Sequence, residues 1–213
     1  MGGLATPCCK QDEIAHNPAV NLPNAISLSR LVLTAVFIGA TLVDATFGPW
    51  LALAAFVVAA ISDFVDGWLA RKLGMVTAMG KLLDPLADKV LVCAAFVYLS
   101  EQGLCPVWVT VLIIAREFLV TGLRQIAVEA GQVIAADGWG KWKTAMQLTF
   151  CITCLVWLAL SRSESQGAVA DFFRMLSHPY GWIREPSMWL ALGLTLLSGW
   201  NYLRASASLL RSK

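Results

Sequence analysis

Long apolar runs separated by short polar clusters dominate this chain. They stand at roughly 28–48, 50–70, 82–100, 106–127, 144–161 and 187–204, and a helix that crosses a bilayer needs about 20 such residues. The pattern predicts an all-α integral membrane protein with six transmembrane helices. It shows no internal repeat and no soluble domain, so residues 1–213 read as a single membrane domain. Residues 1–20 lack an apolar core and are expected to form a flexible N-terminal tail rather than a cleavable signal peptide. The segment NLPNAISLSR ahead of the first run reads as a membrane-surface lead-in. There Pro23 is expected to break structure and Ser27 to cap the helix that follows. The connections are short except at 162–186, RSESQGAVADFFRMLSHPYGWIREP. That segment is expected to be an extracytoplasmic loop with room for a small interfacial helix.

Charge placement orients the spans. Lys10, Arg71, Lys72, Lys81, Arg124, Lys141, Lys143, Arg204, Arg211 and Lys213 fall on the tail, the 71–81 turn, the 124–143 connection and the C-terminus. Only Arg162, Arg174 and Arg184 fall on the other side. Basic residues collect on the cytoplasmic side, so both termini and the 71–81 turn are predicted to be cytoplasmic, at the inner membrane if the cell is bacterial. Composition agrees: 58% of the 213 residues are hydrophobic, 14% are charged and the mean hydropathy is +0.67. Soluble domains carry about 25% charged residues. A net charge of +2 gives no ground for a nucleic-acid partner. The six cysteines form no disulfide framework, and Cys151-x-x-Cys154 inside an apolar run reads as small-residue packing. Trp50, Trp108, Trp139 and Trp189 near run ends read as interface anchors.

Against this apolar background four aspartates stand out: Asp63 and Asp66 near the end of the second run, Asp84 and Asp88 near the start of the third. A carboxylate within a span is costly and marks a functional site by default. The spacings i,i+3 and i,i+4 put each pair on one helical face. Asp63 precedes Arg71 by eight residues and Asp88 follows Lys81 by seven, so each pair is expected roughly 10–12 Å below the basic turn. Four converging carboxylates raise one another's pKa unless cations neutralise them. An all-oxygen donor set suits Mg²⁺, Mn²⁺ or Ca²⁺ better than zinc. Two such ions about 4 Å apart would suit in-line displacement at phosphorus. Gly67 opens a gap where a ligand can approach the helix, and Arg71 suits a phosphate. The competing reading pairs a single aspartate with a lysine such as Lys89.

The residues Asp63-x-x-Asp66-Gly67-x-x-Ala70-Arg71, then eight residues, then Gly80-x-x-x-Asp84-x-x-x-Asp88 resemble the signature of the CDP-alcohol phosphotransferase family. Every fixed position is present at its spacing, and the resemblance extends over most of the chain, including the six-span plan. It implies that Asp63, Asp66, Asp84 and Asp88 hold two divalent cations, Mg²⁺ or Mn²⁺. Gly67, Arg71 and Thr77 would contact the CDP portion of the donor, with Ala70 and Gly80 part of the same substrate site. Asp88 would also be the general base on the acceptor hydroxyl, and the chain would form a homodimer among membrane lipids. The reaction implied is attack by an alcohol on the lipid-side phosphate of a CDP-linked donor, releasing CMP.

Three further segments resemble the branch of the family whose donor is CDP-diacylglycerol and whose acceptor is glycerol 3-phosphate. These are Asn21 to Arg30 with Asn24 and Ser27, Ala115-Arg116-Glu117 to Arg124, and Gly140-Lys141-Trp142-Lys143 to Gln147. Ser27 departs from the expected Thr but keeps the hydroxyl. By that resemblance Asn24, Ser27, Arg30, Arg116, Arg124, Lys141 and Lys143 join the substrate-binding set. Physically, the cations suit a phosphorylated acceptor better than an uncharged alcohol. Simple interface anchoring of Lys141 and Lys143, and an internal ion pair of Arg116 with Glu117 or an aspartate, are the plainer readings. Phosphatidylglycerol, as in a cardiolipin synthase, or inositol phosphate are alternative acceptors of the same chemistry. A cation transporter is the remote alternative, and it leaves Gly67, Ala70, Arg71 and Gly80 unexplained.

Overall fold

The computed structural model of the chain describes residues 22–43, 45–73, 78–129, 139–163, 167–179 and 181–210, with side chains described only at 29–43, 45–62, 89–127, 140–163, 167–179 and 181–204. Among the described residues there are seven helices and no strand. In chain order they are α1 (Leu22–Thr41), α2 (Gly48–Leu73), α3 (Ala78–Glu101), α4 (Val107–Glu129), α5 (Trp139–Ser161), α6 (Ala168–Ser177) and α7 (Arg184–Leu210). The six long helices coincide with the six apolar runs, and α6 is the small helix anticipated within 162–186.

The lead-in before the first run behaves differently from its sequence reading. Helix α1 begins at Leu22, so Pro23 stands in its first turn, where a missing N–H removes no helical bond. Pro23 therefore opens the helix instead of breaking it, and Ser27 lies in the second turn, where it cannot be the N-cap. The other end of α1 stops short of the apolar run. The amides of Leu42 and Val43 turn back to the carbonyls of Gly39 and Ala40 at 3.2 and 3.3 Å, and that of Gly48 to Ala45 at 2.9 Å. A Cβ on Gly48 would stand 2.4 Å from the carbonyl oxygen of Val43, so only glycine allows this tight entry to α2.

The core lies where α1, α2, α3 and α5 meet. Helix α1 packs on both α2 and α3, α5 packs on α2, α3, α6 and α7, and α4 packs on α3 and α7. The two helices that carry the aspartate motif thus share two neighbours, α1 and α5. Phe96 and Phe150 stack at 5.6 Å and 21°, while Phe37 meets Phe56 at 6.0 Å and the edge of Tyr98 at 6.1 Å. Ala52, Ala55 and Ala59 are buried along one side of α2. In lipid the hydrophobic effect does not drive helices together, so small residues that permit close backbone approach matter most.

The outer surface is apolar too. Val32, Val36, Val58, Ile61, Val111, Leu112, Phe118, Leu119, Leu190 and Leu197 are all exposed, far more than the scattered apolar residues normal on a water-facing surface. Among the described residues, Gly140–Ser161 is long and apolar enough to cross a membrane, and Ser29–Thr41 and Gly48–Ser62 are shorter apolar stretches. Polar residues account for the interruption elsewhere: α4 carries Arg116, Glu117, Thr121 and Arg124 along its length.

Arginines tie the end of the bundle opposite the aspartate motif. Arg174 of α6 donates to the carbonyls of Leu160 and Ser163 at 3.0 and 3.1 Å, satisfying groups that the end of α5 leaves open. The guanidinium of Arg184 donates to the carbonyls of Leu104 and Pro179. Cys93, Cys105, Cys151 and Cys154 are free thiols, the last three buried, as expected of packing residues. Cys105, in the α3–α4 connection, is held above the usual thiol range by burial, against a smaller opposing effect of its contact with Thr110.

Candidate active site

Helical backbone carries both halves of the aspartate motif. Asp63, Asp66, Gly67, Ala70 and Arg71 occupy the last three turns of α2, and Gly80, Asp84 and Asp88 the first three of α3. The helical spacing expected within each pair is therefore present. The side chains of 63–88 lie outside the described residues, and so does the whole of Thr77. The convergence of the four carboxylates falls outside them as well. No group of three or more His, Cys, Asp or Glu able to hold a metal occurs among the described residues. Asn24 and Ser27 stand in the first two turns of α1, again without described side chains.

Directly after Asp88 the described side chains resume, and they build a buried polar centre. Its hub is Glu117 of α4, only 3% exposed. Lys143 of α5 donates to its Oε1, Nη1 of Arg116 lies 3.3 Å from the same oxygen, and Nζ of Lys89 lies 3.7 Å from Oε2. The Nε2 amide of Gln147 reaches Oε1 at 3.4 Å and the Thr195 hydroxyl at 3.2 Å. Arg116 is braced from α7: Nε donates to the Thr195 carbonyl at 3.1 Å and Nη2 to the Ser198 hydroxyl at 2.6 Å. Helices α3, α4 and α5 therefore meet at one carboxylate, and α7 braces two of its partners.

Close packing fixes where the arginine runs. A Cβ on Gly199 would stand 3.0 Å from Cγ of Arg116, so the glycine leaves the groove on α7 through which the side chain passes. Lys143 is 4% exposed, too buried to serve as an interface anchor. The internal ion pair anticipated as one reading of Arg116 is present.

Among the described residues, the cations Lys89, Arg116 and Lys143 gather at the one carboxylate of Glu117. Hydrogen-bonding capacity is left over. A guanidinium has five N–H donors and an ammonium three. Arg116 uses three of its donors and Lys143 one. Two on each side chain have no acceptor among the described residues. A buried site whose cationic side chains keep donors to spare is suited to an anion.

The remaining predicted substrate residues are spread out. Arg30 is buried on α1 at 7% exposure, and its carbonyl accepts from the Thr34 hydroxyl at 2.9 Å. Arg124 is exposed and lies over the ring of Tyr202 on α7, 5.3 Å from its centroid. Lys141 is exposed on the first turn of α5. So Arg116 and Lys143 are brought together, while neither Arg124 nor Lys141 joins the Glu117 hub. Sequence reasoning did not single out Glu117, Gln147, Thr195 or Ser198 as site residues. The rule that makes an intramembrane aspartate suspicious applies equally to Glu117, and would have found it.

The described residues define an all-helical protein with an apolar exterior, an aspartate motif shared by two helices and a cation-rich centre that begins at the residue after Asp88. Residues 20–197 match the family model described as CDP-alcohol phosphatidyltransferase, a span that takes in both motif helices and the Glu117 centre up to Thr195. The chain is also similar to the CDP-diacylglycerol–glycerol-3-phosphate 3-phosphatidyltransferase of Bacillus subtilis (strain 168), with 38% identity over 194 residues, 85% of this chain and 93% of the relative. Similar relatives of the same name occur in Rickettsia bellii, 32% identical over 185 residues covering 87% of this chain and 94% of theirs, and in Haemophilus influenzae, 36% over 133 residues covering 60% and 71%. This chain belongs to the CDP-alcohol phosphatidyltransferase family.

Proposed function

We infer that the protein transfers the phosphatidyl group of CDP-diacylglycerol to glycerol 3-phosphate, giving phosphatidylglycerophosphate and CMP. The observation that carries a phosphorylated acceptor is that Arg116 and Lys143, gathered at the buried Glu117, each keep two N–H donors without an acceptor among the described residues. A phosphate accepts from such cationic donors, and an uncharged alcohol brings no anionic group to them. The names of the relatives support the same donor and acceptor.

Four aspartates on two continuous helices supply only oxygen donors, and that donor chemistry fits Mg²⁺ or Mn²⁺. Asp63, Asp66, Asp84 and Asp88 would hold the two ions, which when bound neutralise the diphosphate and stabilise CMP as it leaves. Gly67, Ala70, Arg71, Thr77 and Gly80 bind the CDP end of the donor. The carboxylate of Asp88 takes the proton from the acceptor hydroxyl. The hydroxyl oxygen then bonds to the lipid-side phosphorus, and the bond from that phosphorus to the CMP oxygen breaks. Arg116 and Lys143 bind the acceptor phosphate through their remaining N–H groups, with Arg30, Asn24 and Ser27 on the α1 side and Arg124 and Lys141 drawing the anion from the cytoplasm.

The chain forms a single membrane domain in which α1 to α5 and α7 cross the bilayer, α6 lies on the outer face and both termini are cytoplasmic. The apolar exterior supports this placement. A homodimer follows from the family resemblance alone, and cross-linking in native membranes tests it.

For the acceptor, purified protein in detergent with Mg²⁺ and CDP-diacylglycerol is offered glycerol 3-phosphate, glycerol, inositol phosphate and phosphatidylglycerol separately. CMP release with glycerol 3-phosphate is expected. No release with it, alongside release with another alcohol, overturns the assignment.

A further inference from the structure

We propose that Glu117 is a positioning residue for the acceptor site: one buried carboxylate fixes the cationic ends of Arg116 and Lys143 so that their remaining N–H groups face the acceptor phosphate. This rests on the phosphorylated-acceptor reading above, and adds a residue that touches neither the donor nor the reacting atoms.

The geometry gives the reason. Cations gathered inside a helical bundle repel one another, and Arg116 and Lys143 lose most of their water there. With no carboxylate among them, they would swing apart or shed a proton. Glu117 holds them together and still leaves two N–H donors on each without an acceptor among the described residues. Its two oxygens divide the work: Oε1 takes Lys143, Arg116 and Gln147, while Oε2 takes Lys89 at 3.7 Å. Lys89 follows Asp88 directly in the chain, so the Glu117 centre adjoins the aspartate motif along α3.

The Glu117 hub is also built to keep the carboxylate from moving. Gln147 bridges it to Thr195 at 3.2 Å, and Thr195 is fully buried. The Thr195 carbonyl in turn holds Nε of Arg116. Both the carboxylate and its closest arginine are therefore pinned to the same residue of α7.

The test uses the purified full chain with Mg²⁺, measuring CMP release while glycerol 3-phosphate and CDP-diacylglycerol are varied in turn. Glu117→Gln is expected to raise KM for glycerol 3-phosphate by about tenfold or more, the loss of a charge-assisted bond. KM for CDP-diacylglycerol should stay within about twofold, and Glu117→Asp should recover most of the loss. Equal changes in both KM values, or none in either, overturn the proposal. If Glu117→Gln fails to fold, Gln147→Leu removes one hydrogen bond to the carboxylate without changing charge. It should raise the glycerol 3-phosphate KM by about threefold with the donor KM unmoved, and an unchanged acceptor KM again overturns the proposal. Failure of the acceptor reading looks different, because the unsubstituted protein would then release no CMP with glycerol 3-phosphate.

Discussion

Replacing Lys143 by methionine separates the two things the polar centre is argued to do, holding α4 to α5 and binding an anion. The methionine keeps the bulk of the lysine stem and removes its charge. Lys143 and Glu117 are 4% and 3% exposed, and they are in direct contact. A charge pair at about 4 Å is worth about 4 kcal/mol at an effective dielectric of 20, and breaking a buried pair typically costs about 3–5 kcal/mol. Two effects reduce that figure here. Arg116 at 3.3 Å and Lys89 at 3.7 Å still compensate Glu117, and their repulsion from Lys143 is relieved. The expected loss of stability is therefore about 2–3 kcal/mol. For a chain of this size each kcal/mol lowers Tm by about 2–4 °C, so tryptophan-monitored melting in detergent should fall by about 4–12 °C.

The double variant Lys143→Met, Glu117→Leu completes a cycle. Since an apolar pair often replaces a buried ion pair without loss, the double variant should be more stable than the two single losses predict, by about 2 kcal/mol. Activity should not follow stability back. CMP release from the double variant should still show a glycerol 3-phosphate KM raised by about tenfold or more, because stability returns through packing while the anion site does not. An additive cycle would mean that Lys143 and Glu117 do not interact in the folded protein. An acceptor KM restored together with Tm would mean that the centre is purely structural.

Two other substitutions probe the neighbouring parts. Asp84→Asn removes one carboxylate of the motif while keeping its shape; CMP release should fall by at least about a hundredfold with the melting temperature nearly unchanged, and full activity would discredit the two-metal reading. Gly199→Val places methyl groups in the groove occupied by the Arg116 stem, where even a Cβ stands 3.0 Å from Cγ. The guanidinium should leave Thr195 and Ser198, raising the glycerol 3-phosphate KM by about threefold or more, whereas Gly199→Ala should do less because a flexible stem can give way. Matching acceptor kinetics in Gly199→Val and the unsubstituted protein would remove Gly199 from the site.

Most of the helical plan is legible in the chain because lipid imposes a strict rule: every buried backbone group must be satisfied within its own segment. Long apolar runs therefore become helices, and their ends carry the punctuation. That punctuation was ambiguous at Pro23, since proline both breaks a helix interior and favours a helix start. At the α1–α2 turn, Asp44 and the Gly48-Pro49 pair interrupt the chain near the end of the run 28–48, yet the helix stops earlier, at Thr41, and the close approach of Val43 to Gly48 keeps the turn tight. The aspartate motif was legible because its spacing is local. The Glu117 centre was not, because its members are joined across 26 residues to Lys143, 30 to Gln147 and 82 from Arg116 to Ser198. Sequence supplied the cations and left open what they face. Arg116 beside Glu117 looked like a pair closed on itself, yet the carboxylate is shared among three helices.

The sharing explains why a membrane protein carries so many charges near one another. On the proposed reading the active site has two halves of opposite sign. The aspartates of α2 and α3 form an acidic half that requires cations, and the Glu117 centre forms a basic half that requires an anion. Each half on its own is an unfavourable burial of like charge. Binding the metals and the phosphorylated acceptor relieves both, and the strain that each half carries when empty becomes affinity for its ligand. Asp88 and Lys89, consecutive in α3, mark the border between the halves. A hydroxyl held there by its own phosphate lies on the basic side while its proton departs to the acidic one, so the substrate itself completes the charge pattern that the fold leaves open.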